Sequence, residues 1–143
     1  MTRINIGIPP KKLTDSHLLA EHREIIRVCT LYKDRLDKGK LRDLPTQFVL
    51  GEGHVMYFLD KGYYTYKRYN ELYEECLRRK FEVLNYHRNW SVYLLSHWND
   101  LTPGENDVRI ITERIIERLS NSTQQPRYYS QDITIQESIN LLK

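Results

Sequence analysis

The sequence predicts an all-α fold: a single compact three-helix domain with long irregular connectors and an extended N-terminal arm. Three stretches carry apolar residues at helical spacing, Leu18 to Leu36, Thr65 to Leu77 and Val108 to Leu119. Helix-start and helix-stop residues bracket them. The 143 residues hold one modest core and are too few for two ordinary ones.

Residues 2–12 read as the arm, because Pro9 and Pro10 forbid an early helix and Lys11 and Lys12 call for solvent or a polyanion. Thr14 and Asp15 are good N-caps for a first helix, which buries Leu18, Ile25, Cys29, Tyr32 and Leu36 and ends at Gly39. Residues 40–61 form a connector, in which Phe48–Leu50 fits a short strand or a buried turn equally well. A second helix runs from about Tyr63 to Lys80. Thr65, Tyr69, Leu72, Tyr73, Cys76 and Leu77 take one side of it, and Lys67, Arg68, Glu71, Glu74, Arg78 and Arg79 the other. After a Tyr/Trp/His-rich stretch closed by Pro103-Gly104, a third helix spans Glu105 to Ser120, with Val108, Ile111, Ile115 and Leu119 inward. A polar linker leads to Pro126-Arg127-Tyr128-Tyr129 and a tail whose residues Ile135–Leu142 fit a frayed helix.

Apolar residues make up 40%, charged residues 29%, and the mean hydropathy is −0.65, the profile of a soluble globular chain. No run approaches the eighteen or so apolar residues of a membrane span, and the N-terminus lacks a secretory apolar core. No membrane partner is therefore expected. Cys29 and Cys76 lack CxxC spacing, which argues against a disulfide scaffold and a Cys-based zinc site and fits a reducing compartment. Charge is uneven. Residues 1–42 hold ten Lys/Arg against five Asp/Glu, and the remainder twelve against fourteen, so an anionic partner is expected at the front.

His17, Glu21 and Glu24 fall on one face of the first helix, with Arg23 and Arg27 one turn apart beside them. A solvated helix face explains this as readily as an anion site with acid/base chemistry. Loss of Met1 would leave Thr2 with a free α-amine, whose reference pKa of about 7.7–8.0 makes it a usable nucleophile, though few proteins use theirs. Gly51-Glu52-Gly53-His54 lacks the features of a phosphate loop and fits a tight turn with a packed histidine. No histidine pair has metal-ligand spacing, so no metal or other cofactor is expected. Trp90, Trp98, Tyr128 and Tyr129 are candidates for base stacking, with core packing the alternative for the tryptophans. Arg114 and Arg118, one turn apart on the third helix, suit either a phosphate clamp or a solvated face.

Several runs resemble the phage and bacterial pyrimidine-dimer DNA glycosylases, the endonuclease V-like family. They are Met1-Thr2-Arg3-Ile4-Asn5; His17-Leu18-x-Ala20-Glu21-x-Arg23-Glu24-x-x-Arg27-Val28; Pro45-Thr46; Phe48-x-Leu50-Gly51-x-Gly53-His54-Val55; Asp60-Lys61; and Glu71-Leu72-x-x-Glu75-Cys76-Leu77-x-Arg79-x-Phe81. The likeness covers residues 2–83, returns at Ile111, Arg114, Glu117 and Arg118, and fades over 84–104 and the tail. It implies a glycosylase/lyase domain over 2–130, followed by a divergent tail over 131–143. It also implies an arm threaded between helices, and a monomer acting on damaged double-stranded DNA in the cytoplasm of a bacterial or phage-infected cell. Carried over by position, Thr2 supplies the amine that attacks C1′ and Glu24 the carboxylate that stabilises the sugar cation and moves protons. Arg3, Arg23, Arg27, Arg114 and Arg118 hold phosphates, and His17 contacts DNA near the sugar. Glu21, on the same face, is expected to matter far less than Glu24. Two departures stand out: Pro126-Arg127-Tyr128-Tyr129 replaces the family's Trp-Tyr-Lys stretch, and His22 stands where a tyrosine is usual. The alternatives are a related lyase for another damaged base or for abasic sites, and a catalytically idle DNA-binding protein.

Overall fold

A computed structural model of the chain describes residues 3–51 and 53–143, so Thr2 and Glu52 lie outside the described residues. Six α-helices follow one another: α1 (Asp15–Glu24), α2 (Arg27–Asp37), α3 (Gly53–Phe58), α4 (Gly62–Arg78), α5 (Glu105–Asn121) and α6 (Ile135–Asn140). A two-stranded hairpin, β1 (Arg127–Tyr128) and β2 (Gln131–Asp132), precedes α6. The expected all-α class holds. The expected count of three helices rises to six, for three local reasons.

The first long helix is divided. Ile25 and Ile26 link α1 to α2 with tightened turns, Val28 N–H to the Ile25 carbonyl and Cys29 N–H to that of Ile26, both at 3.1 Å. Two adjacent β-branched residues favour such an interruption, while their dihedrals stay helical and carry the apolar stripe across it. In the connector, Phe48–Leu50 is irregular backbone rather than a strand, with Phe48 buried and Val49 and Leu50 exposed, and Gly53 then opens the short helix α3. A Cβ there would lie 2.7 Å from Val49 Cγ2, so a larger residue would have to displace the Val49 side chain. The tail forms a capped helix rather than a frayed one. Thr134 Oγ1 accepts from Glu137 N–H and Glu137 Oε1 from Thr134 N–H, each at 3.0 Å. With α6 packed on α5, Ser138 and Leu142 become buried.

The arm runs inside the molecule. Ile4, Ile6 and Ile8 alternate along it and all three are buried, together with Asn5. Each isoleucine withdrawn from water contributes roughly 1.5–3 kcal/mol. Pro10 opens a single 3-10 turn, Pro10–Lys12, where its missing N–H costs nothing, so the two prolines permit one turn of helix. Gly7, at φ +72°, passes so close to α5 that a Cβ would lie 2.5 Å from Val108 Cγ2.

α4 packs along α1 and the arm with Tyr69, Leu72 and Cys76 buried. Arg68 and Arg79, expected on its solvated side, are buried as well, each facing carboxylates. In the aromatic connector Trp90 takes the packing alternative, buried and donating Nε1–H to Thr65 Oγ1 at 3.0 Å; Tyr93 stacks on Tyr32, and Trp98 is half-buried beside Tyr63 and Tyr66.

Candidate active site

His17, Glu21 and Glu24, on the last two turns of α1, meet different surroundings. Glu21 is fully buried and takes four hydrogen bonds. Arg68 Nε and Nη2 each donate at 2.8 Å, Asn5 Nδ2 at 2.8 Å and Asn5 N–H at 3.1 Å. Arg68 Nη1 also donates to the Ile8 carbonyl. Burial pulls the Arg68 pKa down, but the charge of Glu21 and its hydrogen bonds outweigh this and hold it above the ordinary arginine value. Glu21 therefore belongs to a buried clamp on the arm, which corrects its expected place on the same face as Glu24.

His17 and Glu24 instead line a cleft of about 590 Å³ between the arm, α1 and the end of α5. Arg3, Arg23 and Arg118 line the same cleft, and Ser122, Gln124, Gln125 and Pro126 form part of its wall. Arg3 Nε, His17 Nδ1 and Glu24 Oε1 are buried without a hydrogen-bond partner among the described residues. Native proteins seldom leave such atoms unsatisfied, so the three in this cleft have hydrogen-bonding capacity open to a polar group. Burial and the Arg3 charge pull His17 down to about 4 against the opposing pull of Glu21, so its ring is neutral near pH 7.

Arg114 lines an adjoining hollow that shares Arg118 and Ser122 with the cleft. Burial and Arg3 lower its pKa, while Glu117 and Glu24 raise it, so it stands within electrostatic reach of Arg3 and Glu24. Arg27 lines a separate hollow on α2 with Thr30, Leu31, Asp34 and Val55.

Tyr128 and Tyr129 are not among the residues lining the cleft. Their rings lie 4.7 and 4.8 Å from the Arg79 guanidinium carbon. Tyr128 Oη donates to the Lys11 carbonyl at 2.8 Å and Tyr129 Oη to Glu75 Oε2 at 2.9 Å. Arg79 in turn donates to Glu75 and Asp15, so the hairpin is latched to α1 and α4 by this cluster.

The profile of the family described as pyrimidine dimer DNA glycosylase matches residues 1–92. The chain belongs to that family. The match spans the arm, the cleft face of α1 and the buried clamp, and stops before α5 supplies Arg114 and Arg118. A pyrimidine dimer DNA glycosylase acts on damaged DNA, and a cleft bordered by Arg3, Arg23 and Arg118 has the charge for phosphates. Among the described residues no group of three or more His, Cys, Asp and Glu could hold a metal ion.

Asn5, His54 and Arg68 carry the arm, and nothing in the residue-by-residue reading marked them for that task. Two signals were present. Ile4, Ile6 and Ile8 alternate as a buried extended segment does, and His54 follows two turn-forming glycines.

Proposed function

We propose that the chain is a bifunctional enzyme, a DNA glycosylase and abasic-site lyase that excises cyclobutane pyrimidine dimers from double-stranded DNA as a monomer. The observation that carries this reading is Glu24, whose Oε1 is buried without a partner among the described residues, in a cleft with three arginines. A carboxylate held that way stabilises positive charge developing on a sugar and accepts a proton from it.

In the proposed sequence the Thr2 amine attacks C1′ of the 5′ nucleotide of the dimer. The C1′–N bond breaks, its electron pair leaves with the base, and the base takes up a proton. The proton that the attacking nitrogen sheds balances the one taken by the base; the C1′–O4′ bond then breaks with its electron pair going to O4′, which takes a proton from solvent, leaving an iminium between C1′ and that nitrogen. Glu24 removes a C2′ proton, and the C3′–O bond breaks with departure of the 3′ phosphate. Water hydrolyses the imine and returns the amine. Arg3, Arg23 and Arg118 hold phosphates flanking the lesion, with Arg27 and Arg114 further along the strand. Neutral His17 offers Nδ1 to the sugar or its phosphate without repelling the developing cation.

Borohydride trapping tests this directly. A duplex with one abasic site should form a covalent adduct with the free-amine protein and none when Met1 is retained or the amine is acetylated. Tight DNA binding without any adduct would leave a catalytically idle binder. The same chemistry on another damaged base is the second reading. The observation favouring it is that Tyr128 and Tyr129 lie on Arg79, so that amide side chains, Gln124 and Gln125, stand in the cleft wall. Trapping rates on dimer-containing and other damaged duplexes separate the two.

A further inference from the structure

We propose that His54 is a positioning residue: by accepting the Ile4 N–H it sets where the chain's terminal amine comes to lie. The inference rests on the reading of that amine as nucleophile and names what holds it in place.

His54 sits in the first turn of α3 and is fully buried. Its Nε2 lies 3.1 Å from the Ile4 nitrogen and its Nδ1 3.2 Å from the Val49 carbonyl oxygen. The Ile4 N–H can only donate and the Val49 carbonyl can only accept. The ring is therefore the neutral tautomer with its proton on Nδ1, and burial favours that uncharged form. Phe48 and Phe58 meet the ring edge-on at 5.4 and 5.5 Å between centroids, which holds it against tipping.

The site has no need of a histidine for packing, since an aromatic hydrocarbon would fill it without the cost of burying two ring nitrogens. What the nitrogens add is a bridge from the α3 turn to the arm. The other polar anchors, Asn5 on Glu21, Gly7 on Tyr64 and the Ile8 carbonyl on Arg68, all lie further from the terminus. Two residues of extended chain span at most about 7 Å, so the Ile4 anchor bounds how far the terminal amine can range from it. Misplacing a reacting group by about 1 Å can cost a hundredfold in rate.

The experiment is single-turnover borohydride trapping on an abasic-site duplex with the full chain, His54→Phe and His54→Gln, beside acetylated wild type. His54→Phe keeps the aromatic packing and loses the acceptor; its trapping should slow by about a hundredfold at a temperature where the variant stays folded, with DNA affinity near wild type and melting lowered by several degrees for the hydrogen bonds lost. His54→Gln places Oε1 near the former Nε2 and should recover most of the rate. Wild-type trapping by His54→Phe overturns the inference, and so does equal slowing of both variants. Should His54→Phe fail to fold, an ester in place of the Ile4 amide removes the same hydrogen bond with every side chain kept, and full trapping there overturns it as well. Trapping by acetylated wild type is a separate result, since it removes the nucleophile reading itself.

Discussion

Glu21 and Glu24 stand three residues apart on α1 and should answer the same substitution in opposite ways. Glu24→Gln removes the charge and the base from the cleft while leaving a side chain of the same size. Excision should fall by at least about a hundredfold, with DNA binding kept or tightened and the melting temperature unchanged. Steady-state excision beside a binding titration on one preparation checks this. Glu21→Gln instead turns one accepting oxygen into an NH₂ that faces donors from Asn5 and Arg68. Breaking a buried pair from one side costs about 3–5 kcal/mol, so thermal unfolding should drop by roughly ten degrees or more. Much of the Glu21→Gln loss in activity should then be recovered by assaying well below the melting temperature.

The hairpin shows how one element is held against its own backbone preference. Tyr129 and Ser130 occupy the two turn positions at φ 51° and 65°, the left-handed region where glycine or asparagine is usual. Both of their N–H groups point into the Asp15 carboxylate, at 3.0 and 2.8 Å, and Arg79 closes on the same group at 2.9 Å. Asp15→Ala should therefore free the hairpin at a cost of about 3 kcal/mol, with fast amide exchange at Tyr129 and Ser130 as the readout. None of this was legible from spacing, because Asp15 reads as a helix-start residue and Arg79 as a solvated one. The long helices and their buried stripes were legible, since burial of one face writes a 3.6-residue period into the chain. So was the meeting of Arg3, His17, Arg23, Glu24 and Arg118, through the family's pattern. The division of the first helix was hidden by isoleucines whose dihedrals remain helical. The buried arginines were hidden because an ion pair in the interior looks, in sequence, like two exposed charges.

Across the whole molecule, His17, His22 and His54 all have pKa values below the ordinary histidine value, chiefly through burial. The unfolded chain then binds protons that the folded one refuses. Stability from these groups is complete above about pH 6.5 and declines as pH falls below it, for His17 until about 4. Each group contributes at most about 1.4 kcal/mol per pH unit. Denaturant midpoints measured from pH 7.5 to 5 should fall steadily; a flat profile would mean the three rings are solvated. The second global property is charge. If four or five of Arg3, Arg23, Arg27, Arg114 and Arg118 meet phosphates, affinity for undamaged duplex should fall with salt at a log–log slope of about −4. A slope near zero would remove that set of contacts.

The buried arm also imposes an order on the making of the protein. Its anchors lie far along the chain: Ile4 waits fifty residues for His54, Gly7 fifty-seven for Tyr64, and Ile8 sixty for Arg68. At ribosomal speeds of about 5–20 residues per second, that leaves the first segment synthesised without its docking site for roughly three to twelve seconds. During that interval Ile4, Ile6 and Ile8 lack the partners that bury them, and the segment ahead of them is undocked. If the Thr2 amine is the nucleophile, as proposed, its release and the folding of the domain would share one clock, set by the translation of α3 and α4.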